Sequence, residues 1–405
     1  MIKAAPLSFE KKQTPFDSNK NYYRNGVDNL YAETQELLIN NSVTAKTASS
    51  IQSQYIIGDG YGDLNDLIVN TYKNINLYDL AYMAIESKVK QRGVFYHVKY
   101  NANYEKDSFS VIPFSHCRVG KRDDKDYNGK ILVSRDFFDS NIEIEAIDVY
   151  NPDKSVIERQ VRKQSGNKNS DLTEADFNKY KGQILFVNDD YQYIYPNSRI
   201  DAVKKDCDSE YQASLYKNKS LRSGSFGKTV VITPPLVDDD IKEFYVDELG
   251  AKKINPEYRK AESERESFKQ TISTFFGAEN TGDGIHIETD FDGGDLEKAF
   301  LIKNYKSDIN DKLFEFTEKS VRRNILFAFN NLPVMLVEPS EGVFTSSGET
   351  FSQAQLMYWR NNKRERTSIE RGLNELLTNF KGKDYVVDTK SLFPEIEKIT
   401  QNDNN

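Results

Sequence analysis

The stretch NPEYRKAESERESFKQTISTFFG, residues 255–277, decides how the rest of this chain is read. Asn255 supplies a capping side chain, Pro256 suits a first helical position where an N–H would go unbonded anyway, and Gly277 closes a helix in the left-handed conformation. Between these marks Tyr258, Ala261, Arg265, Phe268, Ile272 and Phe275 recur at steps of three and four, which sets them along one helix seam. A similar stretch covers 197–224, opening at Ser198 after Pro196 and carrying Ile200, Val203, Cys207, Tyr211, Leu215 and Leu221 along one side. At 1.5 Å per residue each rod reaches roughly 30 to 40 Å. Two such rods around a short strand-bearing insert predict an antiparallel helical hairpin standing out from a body, with a knob at its tip.

The body is large. With 405 residues, 38% of them hydrophobic, the chain has material for two or three cores. There are 24 Tyr and 24 Phe against a single Trp, so interior and interfaces are built from rings, half of which also hydrogen-bond. A net charge of −8 argues against a protein that grips nucleic acid by neutralising phosphates, without excluding contact. Cys117 and Cys207 are the only cysteines, so no disulfide framework is implied and a reducing cytoplasm is the expected compartment. No apolar run approaches the ~18 residues of a membrane span, and the first residues lack the apolar core of a signal peptide.

Along the chain, residues 1–20 read as a loosely tied arm interrupted by Pro6 and Pro15. A helix is expected after Asn25 with Val27, Leu30, Tyr31, Thr34, Leu37 and Leu38 on one face, then helices over 42–55 and 77–91. The period then changes to two, predicting short strands over 94–100, 109–113, 130–133, 142–149 and 183–187. This first half is therefore α+β, with helices followed by antiparallel strands. Beyond the two rods come a strand over 284–289 and a helix over 308–330. A Pro- and Gly-containing break at 331–348 follows, and a last helix to about residue 379 opens on the capping-box pair Thr350 and Gln353. That helix is basic at Arg360, Lys363, Arg364 and Arg366.

Motifs for catalysis are thin. His116 beside Cys117 lacks a second pair at zinc-site spacing, and neither GxxxxGK[ST] nor GxSxG is present. The acids Glu288, Asp290 and Asp292 followed by Gly293 imitate a calcium loop until position 12, where Ala299 stands in place of a bidentate Glu. Asp238, Asp239 and Asp240 suggest Mg²⁺ ligation in a nuclease, but three consecutive acids point in different directions, and they read better as an exposed acidic surface over 238–248. The basic cluster at 360–366 is a candidate DNA contact, weighed against a solvated helix face. No cofactor is expected.

The order of these parts resembles the portal proteins of tailed bacteriophages, the ring at one capsid vertex through which DNA is packaged and released. Ile57-Gly58-Asp59-Gly60 resembles the glycine pair after that family's early helices, and residues 77–100 its helix-then-strand wing segment. Gln183-Ile184-Leu185-Phe186-Val187 before Tyr195-Pro196 resembles the strand and turn leading into the first stem helix. Residues 218–231 are similar to the passage from stem to clip, 264–289 to the second stem helix and returning strand, and 323–334 with 344–377 to the kinked helix, tunnel loop and crown. The likeness spans about 25–380 and lies in the order of parts. The family's usual glycine-proline pair before the tunnel loop is here Asn331-Leu332-Pro333, a departure.

The resemblance implies a wing over 1–196 and 278–335, stem helices over 197–225 and 256–277, a clip over 226–255, a tunnel loop over 336–349 and a crown over 350–405. It implies a stem interface between subunits at Ile200, Val203, Tyr211, Phe268, Ile272 and Phe275, terminase docking at Asp239, Asp240 and Glu243, and a tunnel loop tipped by Val337, Val343, Phe344 and Thr345. The implied partners are further copies in a ring of twelve, the terminase large subunit, a neck adaptor, major capsid and scaffold proteins, and double-stranded DNA passing without sequence preference. No membrane is implied. The implied location is the virion's capsid vertex, after assembly in the host cytoplasm. Two other readings stand beside it: another head-tail connector or baseplate component, and a metal-dependent nuclease.

Overall fold

The computed structural model describes residues 21–139, 141–167, 171–223, 227–233, 241–247, 251–275, 284–288, 301–306, 311–338 and 348–392. Helices and sheets are both abundant, so the architecture is α+β. The chain divides into two compact units, Met1–Asp208 with Ser320–Asn405, and Ser209–Lys319.

The first unit opens with helices α1 (Tyr31–Asn41) and α2 (Val43–Ile57), a small hairpin β1 (Ile68–Asn70) and β2 (Ile75–Asn76), and helix α3 (Leu77–Gln91). Local chemistry sets these boundaries. The Ser42 hydroxyl accepts from Ala45 N at 3.0 Å to cap α2, and Asn76 Oδ1 accepts from Asp79 N at 2.7 Å to cap α3. After α2 the chain turns at Gly58 with φ +60°, where an added Cβ would stand 2.5 Å from the Lys390 carbonyl, so only glycine fits. The expected start of α1 is corrected. Helix begins at Tyr31 and buries Ala32, Gln35 and Ile39, while Val27 is 76% exposed and Leu37 59% exposed. The loop before it is held instead by polar contacts, Asn25 N donating to Asn29 Oδ1 at 3.0 Å.

Six strands follow: β3 (Gly93–Tyr100), β4 (Lys106–Ile112), β5 (Cys117–Val119), β6 (Lys130–Val133), β7 (Glu145–Val149) and β8 (Gln183–Asn188). They form one sheet in the order β4-β3-β8-β7-β6-β5. β7 and β8 are parallel, against the antiparallel expectation, because helices α4 (Lys154–Ser165) and α5 (Glu174–Lys179) occupy the crossover between them. The period of two in β3 divides the interior. Val94, Tyr96, Val98 and Tyr100 face the main core with Leu80, Ala84, Phe109 and Ile325. Phe95 faces a second core with Phe114, Ile131, Ile147 and Ile184, stacking on Phe186 at 4.1 Å.

Leading out of this unit, a short 3₁₀ turn Arg199–Val203 precedes helix α6 (Lys204–Ser223). In the second unit lie β9 (Gly227–Thr233), a hairpin of β10 (Phe244–Val246) and β11 (Lys252–Ile254), helix α7 (Pro256–Phe275), and strands β12 (Gly284–Glu288) and β13 (Leu301–Lys306). Asn255 caps α7 as expected, its Oδ1 accepting from Glu257 N at 3.0 Å. β9 is the centre of a sheet ordered β12-β9-β13, parallel to β12 and antiparallel to β13. α7 therefore lies in the crossover between two parallel neighbours. Helix α8 (Asp311–Ala328) meets α6 through the exposed ion pair of Lys217 with Glu318 and, within the first unit, through Asn324 donating to Asp206 at 3.3 Å.

After α8 the chain turns through Asn330 and Asn331, both in the left-handed region, into the short helix α9 (Val334–Val337) and then helices α10 (Gly348–Asn361) and α11 (Lys363–Leu377). The single last helix of the sequence reading is thus broken at Asn362. This residue is fully buried. Its Oδ1 accepts from Gln52 and from Asn330, each at 2.8 Å, while its amide donates to the Tyr358 carbonyl at 2.9 Å. A side chain that satisfied on three sides fixes the bend between α10 and α11.

Candidate nucleic-acid interface

α11 buries Ile369, Leu373, Leu376 and Leu377 in the main core, and its helical period turns the opposite face outward. On that outer side stand Arg360 at the end of α10 and Lys363, Arg364 and Arg371 on α11, all exposed. With Tyr191, Asn361, Thr367, Ser368 and Asp189 they line an open depression of about 610 Å³. Arg371 donates to the Tyr191 hydroxyl at 3.1 Å, and Tyr191 is 78% exposed. Arg360, Lys363 and Arg364 have no ion-pair partner among the described residues. The single acid in the lining, Asp189, is already committed: its carboxylate lies 2.5 Å from the buried Lys88 ammonium and accepts from the Ser368 hydroxyl at 2.9 Å. Burial lowers the Lys88 pKa, and the Asp189 charge opposes that shift. The depression thus carries four cations, none of them ion-paired among the described residues, in a chain of net charge −8.

Beside it lies a second polar depression of about 430 Å³, lined by Arg92, Arg199, Asn330, Asn331, Arg364 and Glu365 among others. Arg199 pairs with Glu365 and with the Asn330 side chain, tying the 3₁₀ turn before α6 to the turn after α8 and to α11. The Arg199 charge and hydrogen bond outweigh burial and hold the Glu365 pKa below its usual value.

Three of the four expected basic residues are brought together here; Arg366 is not. It is buried, its guanidinium 3.5 Å from the Trp359 ring centroid and donating to the Tyr55 carbonyl at 3.2 Å. The reason is periodicity: Arg366 precedes Ile369 by three and Leu373 by seven, so it shares their inward face. Arg371 follows Lys363 and Arg364 by eight and seven, a spacing that marks it as their neighbour in the sequence itself. Tyr191 carries no such signal.

The expected stem interface is corrected at its first two members. Ile200 and Val203 are buried in the main core of their own chain, together with Cys207, and are closed to a neighbouring subunit. Tyr211 and Phe268 are partly exposed on α6 and α7, while the side chains of Ile272 and Phe275 lie outside the described residues. Val337 is also corrected, since it closes α9 and packs against the main core. Val343, Phe344 and Thr345 lie outside the described residues, as do Asp239 and Asp240. Glu243 is exposed, its carbonyl accepting from Asn255 N at 3.0 Å. Cys117 is buried and burial raises its thiol pKa, which makes it a packing residue. Among the described residues no group of three or more His, Cys, Asp or Glu side chains converges to hold a metal ion, and no helix is long and apolar enough to cross a membrane.

No protein-family model matches the chain, and no curated protein matches it. Solved structures similar to it come from gene transfer agent (GTA) particles. A chain of the virion of the native GTA particle aligns at a TM-score of 0.48 with 12% identity, over 91% of this chain and 87% of that one. A chain from the neck of the native particle, computed with C12 symmetry, aligns at 0.44 with 13% identity over 89% and 84%. One from the neck of the empty particle, computed with C6 symmetry, aligns at 0.46 with 12% identity over 90% and 85%.

Proposed function

We propose that this chain is a phage-type portal protein, forming a ring at one capsid vertex through which a terminase drives the genome in and from which DNA later leaves into a neck. The observation that carries the reading is an insertion. The first unit is interrupted by the second, with the long helix α6 leading out and the long helix α8 leading back, followed by α9, the segment 339–347 and the α10–α11 pair. This insertion supports the wing, stem, clip, stem, tunnel-loop and crown order that the sequence resembles, with α8 proposed as the second stem helix in place of the helix at 256–277 and with a clip longer than 226–255. In this frame the returning stem helix is α8, and the clip extends from β9 through β13 with α7 inside it. Val343, Phe344 and Thr345 tip the tunnel loop. Asp239, Asp240 and Glu243 face the terminase and later the neck adaptor, while the wing meets capsid and scaffold proteins.

Electron microscopy of the purified chain tests this directly. Rings of cyclic symmetry, twelve subunits when formed with scaffold and capsid protein, are the expected result; monomers under every assembly condition would sink the reading. Within rings, Phe268→Asp is expected to reduce ring yield at least tenfold without lowering the melting temperature of the first unit. A desolvated unpaired charge at a subunit contact costs several kcal/mol. Full ring yield from the variant would remove Phe268 from the interface. A ring that assembles but supports no packaging would favour the other connector reading. Magnesium-dependent cleavage of DNA by the pure chain would favour the nuclease.

A further inference from the structure

The α10–α11 break builds a surface whose chemistry is more specific than a passage for DNA requires. We propose that the depression lined by Arg360, Lys363, Arg364, Arg371 and Tyr191 binds the phosphodiester backbone of duplex DNA. The inference stands apart from the ring assignment, because it is read as binding by the purified chain.

Three features converge. The first is uncompensated charge: the four cations share one face, and the one acid among them is neutralised from behind by Lys88. Cations left unpaired on an otherwise acidic protein lose nothing by exchanging water for phosphate, whereas ion-paired ones would have to break a bond first. The second is spacing. Lys363 to Arg371 covers about 12 Å of helix at 1.5 Å per residue. One strand of duplex presents a phosphate every ~3.4 Å of its axis, so this face meets about three. The third is the supporting polar set. Asn361 and Tyr191 stand in the same lining as uncharged donors of the type that fix phosphate register, while the Thr367 hydroxyl donates back to the Lys363 carbonyl at 3.1 Å, and the bend at Asn362 holds Arg360 and Lys363 on one side. An acidic protein segment would also satisfy charge. It is the alternative that the test excludes.

The measurement is fluorescence anisotropy of a labelled 20-base-pair duplex titrated with the full-length chain across a salt series. Neutralising about three phosphates gives a slope of log K against log salt of about −2.7, a loss of about 40-fold between 50 and 200 mM. Arg360→Gln, Lys363→Gln and Arg364→Gln combined should weaken binding at 50 mM at least tenfold and flatten the slope to about −1 or less. Arg159→Gln with Lys163→Gln on α4 should leave both unchanged. All five positions lie on helix surfaces, so melting temperatures confirm that folding is intact, and Arg371→Gln alone should give a partial loss if the triple variant expresses poorly. Equal slopes for parent and triple variant would overturn the proposal. So would an oligoglutamate peptide of matched charge that displaces the duplex at equal concentration, because the site would then be selecting carboxylates as readily as phosphates.

Discussion

Replacing Arg118 by Met should lower the stability of the first unit by about 4 kcal/mol, the cost of removing a buried charge-bearing donor whose acceptors stay behind. Arg118 is wholly buried on β5. Its Nε donates to Asn29 Oδ1 at 2.6 Å, Nη2 to the Asn29 carbonyl at 2.7 Å, and Nη1 to the Ser115 and Cys117 carbonyls at 2.7 and 2.8 Å. The guanidinium also lies 4.7 Å from the Phe137 ring centroid. Methionine matches the length and apolar stem but offers no donor, so these carbonyls lose their partner in a place that water reaches poorly. The same contacts hold residues 25–29 against the sheet, and through them the start of α1. At roughly 2–4 °C per kcal/mol for a unit of this size, the expected fall in melting temperature is on the order of 10 °C. Arg135→Met, an exposed arginine in the neighbouring loop, should change it by less than about 2 °C. Equal effects from the two would mean that Arg118 contributes only its stem.

What the sequence announced and what it hid separate along physical lines. Strands β3, β6 and β8 and helices α2 and α3 were readable because one period dominates each: the residues that alternate in β3 or repeat in α3 are the ones buried. α7 was readable from its punctuation, Asn255 and Pro256. Its neighbour was not. Pairing of β9 with β12 depends on contacts 55 residues apart in register, Thr229 against Gly284, and no local pattern reports that. The bend at Asn362 was hidden for a similar reason. Nothing in NNKRER distinguishes a continuous helix from a broken one until Gln52 and Asn330 are seen to converge on that asparagine. Ile200 and Val203 were misread for the opposite reason. An apolar seam says only that a face is covered, and their own chain covers it.

Asp189→Asn should destabilise the same unit by about 3 to 5 kcal/mol, because it leaves Lys88 as an uncompensated buried cation. Lys88 is 2% exposed; its ammonium lies 2.5 Å from Asp189 and donates to the Ser368 hydroxyl at 2.6 Å, so after substitution it keeps hydrogen bonds and loses its counter-charge. The sign of the pH dependence follows from the lowered Lys88 pKa. Between the folded value and the ordinary lysine value of 10.5 the unfolded chain binds more protons, so stability rises with pH across that window. Removing the Asp189 carboxylate removes the force that opposes burial, moves the folded value further down and widens the window. The deficit of the variant relative to the parent is therefore greatest where Lys88 is charged in both folded proteins and shrinks as pH climbs through the lowered folded values toward 10.5. Melting curves at pH 7 and 9.5 test this. A deficit that stays constant with pH would show that Asp189 acts through its hydrogen bond to Ser368 alone. The double variant Lys88→Met with Asp189→Asn removes both charges of this pair and should recover at least half of the loss. Because Asp189 also lines the basic depression, folded Asp189→Asn protein should bind duplex DNA at least as tightly as the parent does, since the four exposed cations are untouched and one acid is gone.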